Sequence, residues 1–415
     1  MRAASTRAAS PAPRTGTTGA GTVGTGSTGT STTGTWTTGI GTTRAGTTRA
    51  GIARAASSAE TADAARRIER WLLSGGARIE EGAQRGGVAG RLDGDGRPEF
   101  VYLEITGYYL TAMAWLASGA ASSPDRAAEA RAHGGQALEW MTRTLSERGV
   151  PPTRLYVSAA PSDWRNAGVF TFDLAMAARG AATFGQVTGH DAWKDPAAGL
   201  CATIDGMTSG SAVLRSHDAV AREPLPDRWS TRPGPHHLKA AAALLGMPDD
   251  VLGTPLAGVC RRTCAHWEAV LRESWPCREL HPLLYGIEGL LLGASPADDE
   301  ALEVVEALYT RLMALQAADG TLTETTGGGI VRSDVLAQAL RIGRVLRGRG
   351  HLRGDHWAGR LEGLARVLLG FVRADGGVRF SHDQDSVNTW CAMFAHQALT
   401  ADQDGLTGVA SELLV

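Results

Sequence analysis

From residue 58 onward two kinds of helix-forming segment alternate strictly, six times each. The first kind is amphipathic, with charges gathered on one face: about 58–75, 125–147, 190–208, 253–274, 297–318 and 354–373. The second is apolar or small on nearly every face: about 104–118, 166–186, 234–246, 281–294, 331–347 and 386–400. A helix with one apolar stripe lies on a surface, whereas a helix apolar all round must be covered on most sides. Strand-like alternation is brief throughout. The apolar segments begin at irregular intervals, yet local sequence recurs. Ala318-Asp319-Gly320 and Ala374-Asp375-Gly376 each close an amphipathic segment, and each is followed by a short polar stretch and then an apolar segment. Self-similarity of this kind is the mark of a repeat architecture.

Six helical hairpins, each with one buried member, are accommodated by a ring. The apolar helices run parallel around an axis and the amphipathic ones cover them. The predicted fold is therefore all-α, an (α/α)6 toroid over residues 58–415. An open solenoid would leave one apolar face uncovered and would give no reason to stop at six hairpins.

Residues 1–57 read differently. Gly, Thr, Ala, Ser and Arg dominate them, and no acid occurs before Glu60. Such a segment cannot bury enough surface to fold, so a disordered tail, or a start codon placed too far upstream, is expected. It lacks the apolar core of a secretory signal. Two lysines stand against 39 arginines, a bias we attribute to the GC-rich coding of a bacterium. The net charge of −2 excludes a generally basic nucleic-acid binder. The apolar stretch 281–294 is broken by glycine and by Glu288, so no membrane span is expected. Five scattered cysteines fit reduced thiols in the cytoplasm rather than a disulfide framework. Cys260 and Cys264 fall on one amphipathic helix, without zinc-finger spacing. Adjacent His236 and His237 would point about 100° apart on a helix, so no metal is expected. Neither a Gly-x-Gly-x-x-Gly nor a Walker-type Gly-Lys-Ser/Thr motif occurs, so no cofactor is expected.

In a toroid the loops entering the inner helices open at one end, so the N-termini of those helices converge on one mouth. The first inner segment brings Tyr102, Glu104, Tyr108 and Tyr109, and the second brings Phe170, Phe172 and Asp173. His236 opens the third. The fourth carries His281, Tyr285 and Glu288, the fifth Asp334, and the sixth Asp383, Asp385, Asn388 and Trp390. Glu104, Asp173, Asp334 and Asp383 are the expected acid/base groups, with Asp385 next. Tyr108, Tyr109, His236, His281, Tyr285, Glu288, Asn388 and Trp390 are the expected substrate contacts. Glu104, Asp173 and Glu288 each interrupt an apolar run, and a buried carboxyl needs a partner or a raised pKa. Two readings compete with function. Ser333, Asp385 and Ser386 can serve as N-caps, and Arg165 or Arg332 can hold a carboxylate in a purely structural pair.

The alternation and the Asp-Gly turns resemble the α/α-toroid superfamilies, which comprise the six-hairpin glycosidase-like enzymes and the terpenoid cyclase–prenyltransferase toroids. Residues 373–399 also resemble toroid proteins encoded near bacterial polysaccharide genes. The resemblance implies a carbohydrate-directed enzyme, glycoside hydrolase-like or sugar-modifying, acting on a saccharide or another small molecule through carboxylates at the mouth. Asp383-Gln384-Asp385-Ser386 resembles the Asp-x-Asp-Asp motif of class II terpene cyclases. That resemblance implies Asp385 as a proton donor, although Ser386 stands where the motif ends in Asp. A non-catalytic binding or scaffold toroid is the third expectation.

Overall fold

A computed structural model describes residues 58–74, 76–119, 123–157, 163–219, 224–293, 299–404 and 414. The tail expected over 1–57 lies outside the described residues. Among the described residues, twelve principal helices follow in the expected order. The outer helices are α1 (Ser58–Leu73), α3 (Pro124–Arg148), α5 (Lys194–Thr208), α7 (Thr254–Glu273), α9 (Asp299–Met313) and α11 (Asp355–Leu369). The inner helices are α2 (Leu103–Ala117), α4 (Thr171–Thr188), α6 (His236–Leu245), α8 (Leu280–Gly293), α10 (Ser333–Gly348) and α12 (Thr389–Asp404). Each inner helix packs on the next, and α12 returns to α2, so the inner ring is closed. The fold is an (α/α)6 toroid.

The burial follows the patterning. Every residue of α2 is buried, as an all-apolar helix requires. In α7 burial is confined to one stripe, including Leu256, Val259, Cys260, Thr263 and Trp267. The inner helices approach closely where glycines face each other. A methyl group on Gly180 of α4 would overlap the carbonyl of Gly107 on α2, and one on Gly107 would overlap Met176. Gly180→Ala is therefore expected to destabilise the chain by about 1–3 kcal/mol, measured by denaturant unfolding. A wild-type midpoint would contradict this backbone-to-backbone contact.

The two Asp-Gly turns are equivalent in structure. Gly320 and Gly376 have φ of 90° and 98°, a conformation that favours glycine. The Asp319 carboxylate accepts from the Thr321 amide and that of Asp375 from the Gly377 amide, both at 2.9 Å.

Short strands occupy the connections that lead into inner helices. The strands β1 (Ala89–Leu92), β2 (Pro98–Tyr102), β3 (Arg154–Tyr156) and, near the end of the chain, Val387–Asn388 form an antiparallel sheet in the order β3-β2-β1-Val387–Asn388. Arg91 pairs with Asn388 across this sheet, and the Thr389 hydroxyl donates to the Ala89 carbonyl at 2.5 Å. First and last repeats are thus stitched together at the mouth. Tyr102, Phe170 and Arg332 enter α2, α4 and α10 with extended backbone and no side-chain cap. Ser333, an expected cap, instead donates to the Arg379 carbonyl at 2.7 Å. No helix among the described residues is long and apolar enough to cross a membrane.

Candidate functional site

A cavity of about 680 Å³ opens where all six inner helices begin. Glu104 and Ile105 come from α2, Phe172 and Asp173 from α4, His236 from α6, His281 and Tyr285 from α8, and Trp390 from α12. Arg332, just ahead of α10, completes the ring of contributors. A second cavity of about 580 Å³ lies against the C-terminal halves of α4, α6 and α8. Its described lining contains no aromatic ring. The mouth combines aromatic walls with convergent polar groups, as ligand sites do.

One wall carries an acid cluster. The Tyr102 hydroxyl donates to Asp173 Oδ2 at 3.0 Å and also interacts with the Glu104 carboxyl. Burial raises Glu104 to about 7, although Tyr102, Lys239 and Arg165 pull the other way. Burial, and then the neighbouring charge of Glu104, hold Asp173 well above the usual carboxylate range. Two carboxyls that share a hydroxyl in an apolar setting resist ionising together. The cluster therefore stores a proton at neutral pH. Arg154 and Arg165 stand beside it, both tied to Asp163 at 2.7 and 3.4 Å.

The facing wall is built of imidazoles around an indole. Trp229 lies with its ring centre 5.2 Å from that of His236 and 5.6 Å from that of His281. Tyr285 packs on His281 at 4.4 Å and on Phe172 at 4.8 Å. Burial lowers His281 to about 4 and His236 well below its ordinary value. Both rings are neutral at pH 7. His236 Nδ1 is buried without a hydrogen-bond partner among the described residues, and His281 Nδ1 lies 2.6 Å from Gln338 Oε1. No group of three or more His, Cys, Asp or Glu among the described residues is arranged to hold a metal ion.

The expected site residues divide by depth. Glu104, Asp173, His236, His281, Tyr285, Asn388 and Trp390 line the mouth. Asp334 is fully buried behind it. Burial would raise this carboxyl, but Arg332 and His281 outweigh that and hold it low. Arg332 donates to both of its oxygens at 3.1 and 2.6 Å, and Trp390 Nε1 reaches Oδ2 at 3.3 Å. Asp334 thus fixes two mouth residues without lining the cavity itself.

Five expected residues are placed elsewhere. Tyr108 lies one turn below Glu104 in the ring core, its ring 5.4 Å from Phe394 and 4.9 Å from Lys239 Nζ. Tyr109 points toward α1 and donates to the Leu72 carbonyl at 3.0 Å. Glu288 lies two turns below His281, paired with Lys239 at 2.8 Å and with Arg341. Asp383 and Asp385 are exposed at the rim. Asp383 accepts from Ser381 Oγ at 2.5 Å. Asp385 sits beside Gly94, Arg373 and Arg379, away from the apolar cavity a cyclase acid would need. Trp229 is not among the expected residues, and Tyr102 is expected at the mouth without a role for its hydroxyl. The long, aperiodic connection 209–235 was the available signal for Trp229, since such loops are commonly functional.

No family model matches the chain, and no curated protein matches it. Solved structures do. A sugar epimerase from a ruminal bacterium superposes with a TM-score of 0.60 at 12% identity, over 82% of this chain and 98% of that one. An unsaturated glucuronyl hydrolase specific for heparin gives 0.60 at 12% identity, over 83% and 98%. The cellobiose 2-epimerase of Spirochaeta thermophila DSM 6192 gives 0.55 at 12% identity, over 82% and 97%. The chain has the fold of the six-hairpin glycosidase-like toroids.

Proposed function

We propose that the chain is a carbohydrate-directed enzyme that works by general acid–base chemistry at the mouth of the toroid. One observation carries the reading: Glu104 and Asp173, from two different inner helices, share the hydroxyl of Tyr102 beside an aromatic-lined cavity. Aromatic faces such as Trp229 and Trp390 suit the apolar faces of sugar rings. Solved structures of like fold include two sugar epimerases and an unsaturated glucuronyl hydrolase. In the hydrolytic form of the reaction, Glu104 passes its proton to the departing glycosidic oxygen as the C–O bond breaks. Water attacks the anomeric carbon and gives its own proton to a base on the cavity wall. The free thiols fit a cytoplasmic enzyme.

A second reading rests on the facing wall. Neutral His236 and His281 flank Trp229: one takes a proton from carbon and later releases it to solvent, while the other relays a proton from water to the opposite face of that carbon, which is epimerisation. A panel of oligosaccharides and reducing disaccharides, incubated with the full chain in deuterated water, separates the two. Hydrolysis yields new reducing ends. Epimerisation yields deuterium on carbon and no new ends. Neither product from any saccharide would contradict the enzymatic proposal.

A further inference from the structure

We infer that Gln338 is a positioning residue that fixes His281 in its Nδ1–H tautomer and so presents the Nε2 lone pair to the mouth as a proton acceptor. The inference rests on reading the mouth as an acid–base site. It follows from hydrogen-bond roles that can be satisfied in only one way. Glu288 lies fully buried between Lys239, at 2.8 Å, and Arg341. The Arg341 guanidinium against it, ahead of Lys239, outweighs burial and keeps the carboxylate ionised, so it can only accept. Gln338 is also fully buried, and its amide stands 3.4 Å from Glu288 Oε2. Only the NH₂ end can face that oxygen, so the carbonyl end is turned to His281, where Oε1 lies 2.6 Å from Nδ1. An amide oxygen only accepts, so Nδ1 must carry the hydrogen.

Asp334 reinforces the choice. Its Oδ2 lies 3.7 Å from the same Nδ1, and its Arg332 and Trp390 contacts keep it an acceptor. A neutral imidazole protonated at Nδ1 has its lone pair on Nε2. The opposite tautomer would need Gln338 to flip, setting its oxygen against the Glu288 carboxylate. The charged core of α6, α8 and α10 therefore dictates the protonation pattern of a ring at the mouth, through one amide.

The tautomer can be read without any substrate. Full-length chain labelled with ¹⁵N-histidine is examined by two-bond ¹H–¹⁵N correlation at pH 7, and the His281 signals are identified by their loss in His281→Gln. The expected spectrum has a pyrrole-like Nδ1 and a pyridine-like Nε2 for His281. A protonated Nε2 overturns the inference. Gln338→Met keeps the volume but removes both hydrogen bonds. It is expected to leave His281 in a mixture of tautomers and to lower kcat at least ~10-fold, with KM little changed. An unaltered single tautomer in folded Gln338→Met overturns the role of Gln338. If that variant does not fold, the wild-type spectrum still decides the tautomer. Failure of every saccharide to react would sink the enzymatic reading and leave the spectrum standing. An active enzyme with Nε2–H at His281 would sink this inference alone.

Discussion

Glu104→Gln lowers kcat on the saccharide substrate by about 10²–10⁴-fold, the range that general acid–base groups command. The substitution keeps the shape and the contact with Tyr102 but removes the transferable proton. KM should change little, because Trp229, Trp390 and Phe172 still line the cavity. The same variant has a signature in stability. Glu104 rises from an ordinary 4.5 to about 7 in the folded chain, so the native state holds a proton the unfolded chain has released. That contribution is complete below pH 4.5 and is lost as pH rises through 7. The rise corresponds to roughly 3 kcal/mol. Relative to the wild type, Glu104→Gln should therefore gain stability between pH 5 and pH 8, followed by denaturant unfolding at both values. Equal differences at the two pH values would contradict the buried, proton-bearing cluster.

Acidification should unfold the chain, and the cause lies in its imidazoles. Burial lowers His237 and His281 to about 4, His396 to about 3, and His236 well below its ordinary 6.5. As pH falls below 6.5 the unfolded chain takes up a proton at each of these four sites and the native chain does not. Native stability is thus intact above pH 6.5 and declines toward pH 4. By pH 5 each ring accounts for up to ~2 kcal/mol. Glu104 and Asp173 act in the opposite direction, but they are two groups against four. The net loss is of order several kcal/mol, a large part of the ~5–15 kcal/mol that holds a domain together. Melting temperature should fall steeply between pH 6.5 and 4, and His396→Gln, remote from the mouth, should make the fall shallower. A flat profile over that interval would show that the rings are solvated or paired.

Much of this architecture is visible in the chain itself. Period and polarity separate the outer from the inner helices, and parallel inner helices bring Glu104, Asp173, His236 and His281 to one end. The misplacements come from depth and from loops. Tyr108 follows Glu104 by four residues, which keeps it on the same face but sets it ~6 Å deeper, under the mouth rather than in it. Glu288 follows His281 by seven residues and lies ~10 Å deeper, where Lys239, Arg341 and Gln338 meet it. Asp383 and Asp385 sit in an aperiodic loop, and periodicity gives no hint whether such a loop turns inward. Gln338 lies within an inner helix and looks like any polar interruption of it. Its role depends on Glu288 from another helix, a pairing no local pattern encodes.

The most direct test is a crystal structure of the full chain, with Asp173→Asn to slow turnover, soaked with a saccharide that raises its melting temperature. A sugar in the mouth is expected, with its ring on Trp229 or Trp390 and an oxygen within ~3 Å of Glu104. A sugar seated in the cavity against the C-terminal halves of α4, α6 and α8, or in the mouth with no oxygen near Glu104 or Tyr102, would contradict the account.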